Sequence, residues 1–218
     1  HHPTLSKALA RLTDNIELEN GLTIWNNLRW YPVILLCYSS GIAAIANSRY
    51  ENLYAIFNAA VTIRQKSPTS SQLAVVIADE ISELERSEAF KRLPGHERFF
   101  VPRSEYLFKL LQPELDDDLF LGKEYEVVFD RFEMVLALFI AVGRKRLDRH
   151  LWGPVGRFGW KMSSRIRGTN PFTELLQEAE QSKENWPPFK AGLFGSDLEL
   201  FMKTAADYEK LIGNLHWW

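Results

Sequence analysis

Apolar residues recur at helical spacing along almost the whole chain, and this pattern constrains the fold more than any other feature. Sustained two-residue alternation bounded by hairpin turns, the pattern typical of half-buried strands, is not found in the sequence. With 218 residues and 46% hydrophobic content, the chain can bury a core of ordinary size. The sequence therefore predicts an all-α fold, an irregular multi-helix bundle of about seven to nine helices.

Apolar stripes and the breakers between them predict the individual helices. In the N-terminal half they predict a helix marked by Leu5, Leu9 and Leu12, one from about Leu22 to Ala46 that Pro32 kinks or restarts, one from Arg49 to about Gln65, and one from Leu73 to near Leu93-Pro94-Gly95. In the C-terminal half they predict a short helix over Ser104–Gln112, a long helix from Gly122 closed by Arg144, Lys145 and Arg146, a helix opened by Asn170-Pro171, and a last helix opened by a capping box at Ser196.

The chain is predicted to form two helical subdomains packed together as one unit. Pro94-Gly95 marks the boundary, which gives an N-terminal subdomain over residues 3–94 and a C-terminal subdomain over residues 95–218. His1 and His2 resemble the remnant of an affinity tag, so we expect the sequence to begin partway through a longer protein.

The most apolar stretch, from Tyr31 to Ala46, is predicted to be a buried helix and not a membrane span. It has 16 residues, whereas a bilayer requires roughly 20, so no membrane partner is expected. The single cysteine, Cys37, cannot form a disulfide within the chain. We therefore predict a reducing, cytoplasmic location.

Basic charge is concentrated in two segments of a chain whose formal net charge is −2. Residues 144–167 hold eight Lys or Arg against one acid, and residues 91–103 hold four against one, so the remaining residues carry −12. Cations interleaved with Trp and Gly are typical of surfaces that cradle phosphates and stack bases. The candidates for binding an anion, a nucleotide or a nucleic acid are Arg98, Arg103, Arg144, Lys145, Arg146, Arg149, Trp152, Arg157, Trp160, Lys161, Arg165 and Arg167.

The second of these segments, residues 144–167, also has a purely structural interpretation, and the sequence favours that interpretation over anion binding. The first cations would cap a helix, and Trp152 and Trp160 would pack in the core. The remaining cations would bridge acidic helices: Arg157, Lys161, Arg165 and Arg167.

Arg144 and His150 are separated by five residues at the end of the long helix. This spacing resembles the Arg-x4–6-His motif of HEPN ribonucleases, which are all-α and usually dimeric. In that family Arg and His act together on an RNA phosphodiester. The resemblance covers two residues and makes Arg144 and His150 the candidates for catalysis.

Other signatures of catalysis or metal binding are missing from the sequence. Glu114, Asp116, Asp117 and Asp118 lack the spacing of a calcium loop and are predicted to cap a helix that starts near Leu119. The chain contains no nucleophile elbow, phosphate-binding loop or dinucleotide fingerprint, and no closely spaced His or Cys pair beyond the first two residues. We therefore expect no metal and no cofactor, and the sequence favours a non-enzymatic function.

The run from Arg29 to Ala44, followed by Arg49 and Tyr50, is similar to uncharacterised helical regions that lie C-terminal to effector or NTPase domains in bacterial multidomain proteins, including antiphage proteins. The resemblance implies an accessory domain and assigns no site residue. Our first hypothesis is a non-enzymatic helical accessory domain of a larger bacterial protein. Its partners would be itself or other domains of that protein, and it would mediate self-association or sense a partner or ligand. A nucleic-acid-binding module and a HEPN-like ribonuclease are the alternatives.

Overall fold

A computed structural model describes residues 2–14, 25, 28–63, 69–163 and 170–215. Over these residues helices predominate, the strands form one two-stranded sheet, and eight of the helices have seven or more residues. The predicted all-α class is therefore confirmed. The chain divides into two compact units, His1–Arg98 and Phe99–Trp218. The packing of two subdomains as one unit stays a prediction.

The first unit combines helices with a short β-hairpin. Its elements are α1 (His2–Asp14), α2 (Tyr31–Ala46), α3 (Tyr50–Phe57), β1 (Ala60–Ile63), β2 (Thr69–Gln72) and α4 (Leu73–Arg86). Pro32 lies in the first turn of α2, where its missing N–H has no partner to lose. Of the two predicted alternatives, a kink or a restart at Pro32, the structure has the restart. Leu22, where the helix was predicted to begin, lies outside the described residues.

The predicted helix from Arg49 to Gln65 is wrong in its second half. α3 ends at Phe57, and β1 pairs antiparallel with β2 so that Ala60 lies opposite Gln72. Asn58, which follows α3, accepts a hydrogen bond from the side chain of Gln72 at 2.8 Å. Three of the four residues of β1 are β-branched, and such residues suit a strand better than a helix.

α4 ends at Arg86, earlier than the predicted end near Pro94. The hydroxyl of Ser87 donates to the carbonyl oxygen of Leu84 at 2.9 Å, and Glu88 has a left-handed φ of 55°. These features close the helix. The predicted apolar face is confirmed, because every member is buried: Leu73, Val76, Ile77, Ile81 and Leu84.

The apolar helix α2 lies in the core of the first unit. Burial raises the pKa of the Cys37 thiol to about 12, so the thiol stays protonated near neutral pH and acts as a small apolar side chain. Of the helices in the described ranges, none combines the length and the apolarity needed to cross a bilayer.

The second unit is built around a long central helix. Its elements are α5 (Pro102–Leu119), α6 (Tyr125–Arg146), α7 (Phe158–Ser163), α8 (Pro171–Ser182), α9 (Pro187–Lys190) and α10 (Leu198–Gly213). α6 packs against α5, α8 and α10. Most of α6 is buried, and the three predicted cations occupy its last turn, where the helix dipole favours positive charge.

Side-chain caps begin α8 and α10. The Asn170 side chain accepts from the N–H of Phe172 at 2.9 Å, as the predicted cap-then-proline order requires. The Asp197 side chain accepts from the N–H of Leu200 at 3.0 Å. The residue that caps α10 is thus Asp197, one position after the predicted capping box begins.

An aromatic cluster fills the space around α9 and the start of α10. Trp186, Phe189, Phe194 and Phe201 are at most 4% exposed. The rings of Phe194 and Phe201 are 4.6 Å apart, and those of Trp186 and Phe194 stack at 5.9 Å. Such contacts stabilise a core beyond the area that the rings bury.

α5 continues through Pro113, so the prediction that a short helix ends at Gln112 is wrong. A proline inside a helix removes one hydrogen bond and costs about 3 kcal/mol. Leu111 and Leu115 flank Pro113, and both are buried, at 9% and 8% exposure. Burial of apolar side chains on both sides of the proline outweighs the lost backbone bond.

The turn between α5 and α6, here named the α5–α6 turn, comprises residues 120–124. Asp116 lies in the last turn of α5 and accepts from the N–H of Gly122 at 2.5 Å. The predicted helix start near Leu119 is therefore wrong, because α5 runs to Leu119 and the next helical turn begins at Gly122, whose N–H Asp116 caps. Those acids lie at the C-terminal end of α5, and Phe120 ends that helix with a left-handed φ of 54°.

Candidate functional site

An irregular segment of the second unit, residues 149–157, lies at the centre of the region predicted to bind anions. This segment, here named the strap, has neither helix nor strand, yet most of its C-terminal half is buried. Buried backbone groups require hydrogen-bond partners. In the strap, side chains of the surrounding helices supply several of them.

The strap lies too close to its neighbours to carry side chains at two positions. The Tyr208 hydroxyl of α10 is within 3.2 Å of the carbonyl oxygens of Gly153 and Pro154. A Cβ at Gly153 would come 2.5 Å from the carbonyl oxygen of Ala137 in α6, and a Cβ at Gly156 would come 1.8 Å from a carboxylate oxygen of α6. The two glycines are therefore required by close packing.

Glu133 of α6 is the centre of a buried charge cluster, and its side chain is 2% exposed. Its Oε1 accepts from Arg103 Nη1 at 3.3 Å, and its Oε2 accepts from Ser104 Oγ at 2.7 Å and from the backbone N–H of Arg157 at 3.1 Å. Arg103 also donates to the carbonyl oxygen of Val155 at 3.1 Å. The anion that this part of the strap contacts is thus a carboxylate of the same chain.

The Arg157 side chain extends the cluster toward the surface. Its Nη2 donates to Glu126 Oε1 at 3.1 Å, and its Nε lies 3.7 Å from Asp130 Oδ1. Lys161 of α7 donates to the same two carboxylates, reaching Glu126 Oε1 at 2.5 Å. The Arg157 guanidinium lies 3.6 Å from the centre of the Phe108 ring, which adds a cation–π contact.

The cluster is close to charge balance, since three cations face three carboxylates: Arg103, Arg157 and Lys161 against Glu126, Asp130 and Glu133. Desolvating such groups offsets much of their attraction, so the pairs add little net stability, whereas the loss of one partner leaves a buried charge uncompensated. The cluster therefore holds the strap, α5, α6 and α7 in one arrangement.

Burial raises the pKa of Asp130 to about 6, against the opposing attraction of Lys161 and Arg157. Because the folded pKa exceeds the unfolded value, protonation of Asp130 stabilises the fold, and this contribution is lost as pH rises from about 4 to about 6. We expect the difference in unfolding free energy between the wild type and Asp130→Asn to change across that window and to be constant above it, as measured by urea denaturation.

Glu126 provides a control of opposite sign for this pH dependence. The hydrogen bond from Lys161 lowers the pKa of the Glu126 carboxyl, so its contribution is present above the unfolded pKa and lost as pH falls through the folded one. Glu126→Gln should remove a stabilisation that weakens in acid. A wild-type minus Asp130→Asn difference that does not vary between pH 4 and pH 6 would contradict the assignment to Asp130.

Two further cations that were predicted to bind anions lie at the end of α6, and they also have internal partners. Lys145 Nζ lies 3.5 Å from Asp207 Oδ2 of α10, and Arg146 Nη2 donates to the carbonyl oxygen of Phe194 at 2.5 Å. The Arg146 guanidinium lies against Gly195, where a Cβ would come 2.1 Å from Nη1. The carbonyl oxygen carries no formal charge, so this contact does not compensate the positive charge of Arg146.

Arg144 and His150 are in contact, but not through the imidazole. Arg144 Nε donates to the backbone carbonyl oxygen of His150 at 2.9 Å, and its guanidinium lies 5.8 Å from the Trp152 ring. His150 itself is exposed. The hydrogen bond from Arg144 fixes the start of the strap to α6 and does not by itself form a pair of catalytic side chains.

The remaining residues predicted to bind anions differ from one another in their exposure. Trp152 and Trp160 are half-buried, and Trp160 Nε1 donates to Glu105 Oε1 at 3.2 Å. Arg98 and Arg149 are exposed, the first in the first unit and the second in the strap. Arg165 and Arg167 lie outside the described residues.

Sequence reasoning identified the cations of the cluster but missed its acceptors, Ser104, Glu126, Asp130 and Glu133. One signal was available, because Glu133 follows Phe129 by four positions and precedes Leu136 by three, so it lies on the apolar face of α6. A charged residue inside such a face requires a buried partner.

No protein family, curated protein or solved structure matches this chain. Within the described ranges, no group of three or more His, Cys, Asp or Glu side chains is arranged to hold a metal ion.

Proposed function

We propose that this chain is a non-catalytic helical accessory domain that acts by self-association. In the wider form of the hypothesis, it belongs to a larger bacterial protein and senses a partner or ligand. The internal ion pairs of the basic residues support this proposal. Arg103, Arg157 and Lys161, three of the cations predicted to bind anions, are engaged with carboxylates of the same unit, so they serve to hold the strap.

The observation that carries the proposal is the exposure of Phe120, whose side chain is 89% exposed at the α5–α6 turn. The second unit buries many other aromatic rings. Its core therefore accommodates aromatic side chains, and Phe120 is exposed although such a core is present. Val127 and Leu147 are also exposed, at 55% and 65%. Large apolar side chains in water favour association, because burial against another surface releases apolar area from water at about 25 cal/mol per Å².

Nucleic-acid binding is the second candidate, and the exposure of Arg149 favours it. Arg149 stands in the strap next to the exposed His150 and close in sequence to the half-buried Trp152, a combination that can contact phosphate and base. Retention of RNA or DNA that falls steeply with salt would favour this function over self-association. The HEPN-like ribonuclease remains a third proposal, resting on Arg144 and His150.

Self-association is tested by light scattering coupled to size-exclusion chromatography over a wide concentration range. We expect the mass of the wild type to rise with concentration and that of Phe120→Ser to stay near the monomer value. Leu110→Ser is the matched control, since Leu110 is also apolar and exposed on α5, at 39%. A wild type that stays monomeric at the highest concentration, or equal effects of the two substitutions, would contradict the proposal.

A further inference from the structure

We propose that the second unit associates head to tail, with the acidic surface that precedes α6, here named the acidic end, in one copy against the basic surface at the end of α6, here named the basic end, in another. This inference rests on the proposed self-association and names the two surfaces that carry it. The acidic end comprises residues 114–124, and the basic end comprises residues 144–150. Both surfaces lie within the second unit.

The acidic end carries a large charge around an exposed aromatic ring. Residues 114–124 contain five acids and one lysine, a net charge of −4. Of these acids, Glu114, Asp117, Asp118 and Glu124 are exposed, and Phe120 is 89% exposed between them in sequence.

Several features of this end are unfavourable in an isolated copy. Asp117 and Asp118 lie in the last turn of α5, where the helix dipole disfavours each negative charge by about 0.3–1 kcal/mol. Phe120 holds a left-handed φ of 54°, a conformation that costs a bulky side chain about 1–2 kcal/mol. Departures from local rules that coincide at one turn are expected at functional or strained sites.

The basic end has the opposite charge and its own exposed apolar side chain. Residues 144–150 contain four Lys or Arg against Asp148, a net charge of +3 with His150 neutral. Leu147 is 65% exposed, and Arg149 is exposed beside it. Lys145 is paired with Asp207, whereas Arg144 and Arg146 donate to carbonyl oxygens, which carry no formal charge to compensate the guanidinium.

The two ends are separated by the length of α6. Its 22 residues span about 33 Å at 1.5 Å per residue, so the ends do not neutralise each other within one copy. Contact of two acidic ends or two basic ends would bring like charges together. Contact of an acidic end with a basic end pairs opposite charges and covers Phe120 and Leu147, which makes the interface heterologous and gives a ring or an open chain of copies.

The test uses two variants, each with one end blocked. The acidic-end variant is Phe120→Ser with Asp118→Lys, and the basic-end variant is Leu147→Ser with Arg149→Glu. All four positions are exposed, so both variants should fold, which circular dichroism checks. We expect each variant alone to be monomeric and their equimolar mixture to form a one-to-one dimer and nothing larger, because only one complementary pair of ends remains.

The outcomes separate this inference from the proposed function. A wild type that associates while the mixture stays monomeric, or a single variant that still associates, overturns the head-to-tail arrangement and leaves self-association standing. A monomeric wild type overturns both. Association should also weaken as salt rises, since the screening length falls from about 30 Å at 0.01 M to about 10 Å at 0.1 M. Association that salt strengthens would overturn the charge pairing.

Discussion

Glu133→Ala is expected to lower the free energy of unfolding by about 3–5 kcal/mol, the largest effect of any single substitution considered for this chain. The carboxylate of Glu133 accepts from Arg103, Ser104 and the backbone of Arg157. Its removal leaves Arg103, 1% exposed, without that carboxylate in a buried site. The N–H of Arg157 and the hydroxyl of Ser104 keep only each other, at 2.9 Å.

The measurement is urea denaturation followed by tryptophan fluorescence, with Glu126→Ala as the matched control. Both residues are glutamates of α6 that bind Arg side chains, but the Glu126 side chain is 50% exposed and that of Glu133 is 2% exposed. Because Glu126 lies at the solvent edge, we expect its removal to cost about 1 kcal/mol or less. Equal losses in the two variants would show that the buried cluster does not depend on Glu133.

The parts of the fold that the sequence predicted are those with strong local signals. The face of α4 follows from apolar spacing, and the start of α8 follows from Asn170 before a proline. The cationic end of α6 follows from three successive bases. In each case the interacting groups lie within one or two helical turns, so no knowledge of the tertiary structure is needed.

The errors fall where distant contacts override local preference. Residues 60–63 leave the helical path because they pair with a strand that begins at Thr69, and a single apolar stripe does not distinguish this from a continued helix. Pro113 does not end α5 because Leu111 and Leu115 are buried on either side. The prediction of an acidic helix start near Leu119 failed for the same reason, since it depended on that end.

The charge cluster shows the same limit in the candidate site. The basic and glycine-rich character of the strap is visible in the sequence, but the carboxylates that the Arg157 and Arg103 side chains bind lie 31 and 30 positions away along the chain. Composition therefore shows that an anion is needed and does not show whether it is a ligand or an internal carboxylate. In the structure, Glu133 meets that need for Arg103, and Glu126 and Asp130 meet it for Arg157.

Gly156→Ala is expected to destabilise the chain by about 1–3 kcal/mol, because it inserts a methyl group where the strap has no room. An ideal Cβ at this position lies 1.8 Å from Glu133 Oε2 and 2.3 Å from the carboxyl carbon. Either the carboxylate moves away from Ser104 and Arg157, or the strap moves away from α6. Both responses break the hydrogen bonds that hold the cluster together.

Gly143→Ala is the matched control, since it makes the same change in α6 where a Cβ would meet nothing within 4 Å. There the substitution should be neutral or should stabilise the helix by about 0.5–1 kcal/mol, because alanine loses less backbone freedom on folding than glycine. Thermal unfolding of the two variants compares them directly. If Gly156→Ala proved as stable as Gly143→Ala, the close approach of the strap to Glu133 would be refuted, and with it the explanation offered for the glycines of the basic segment.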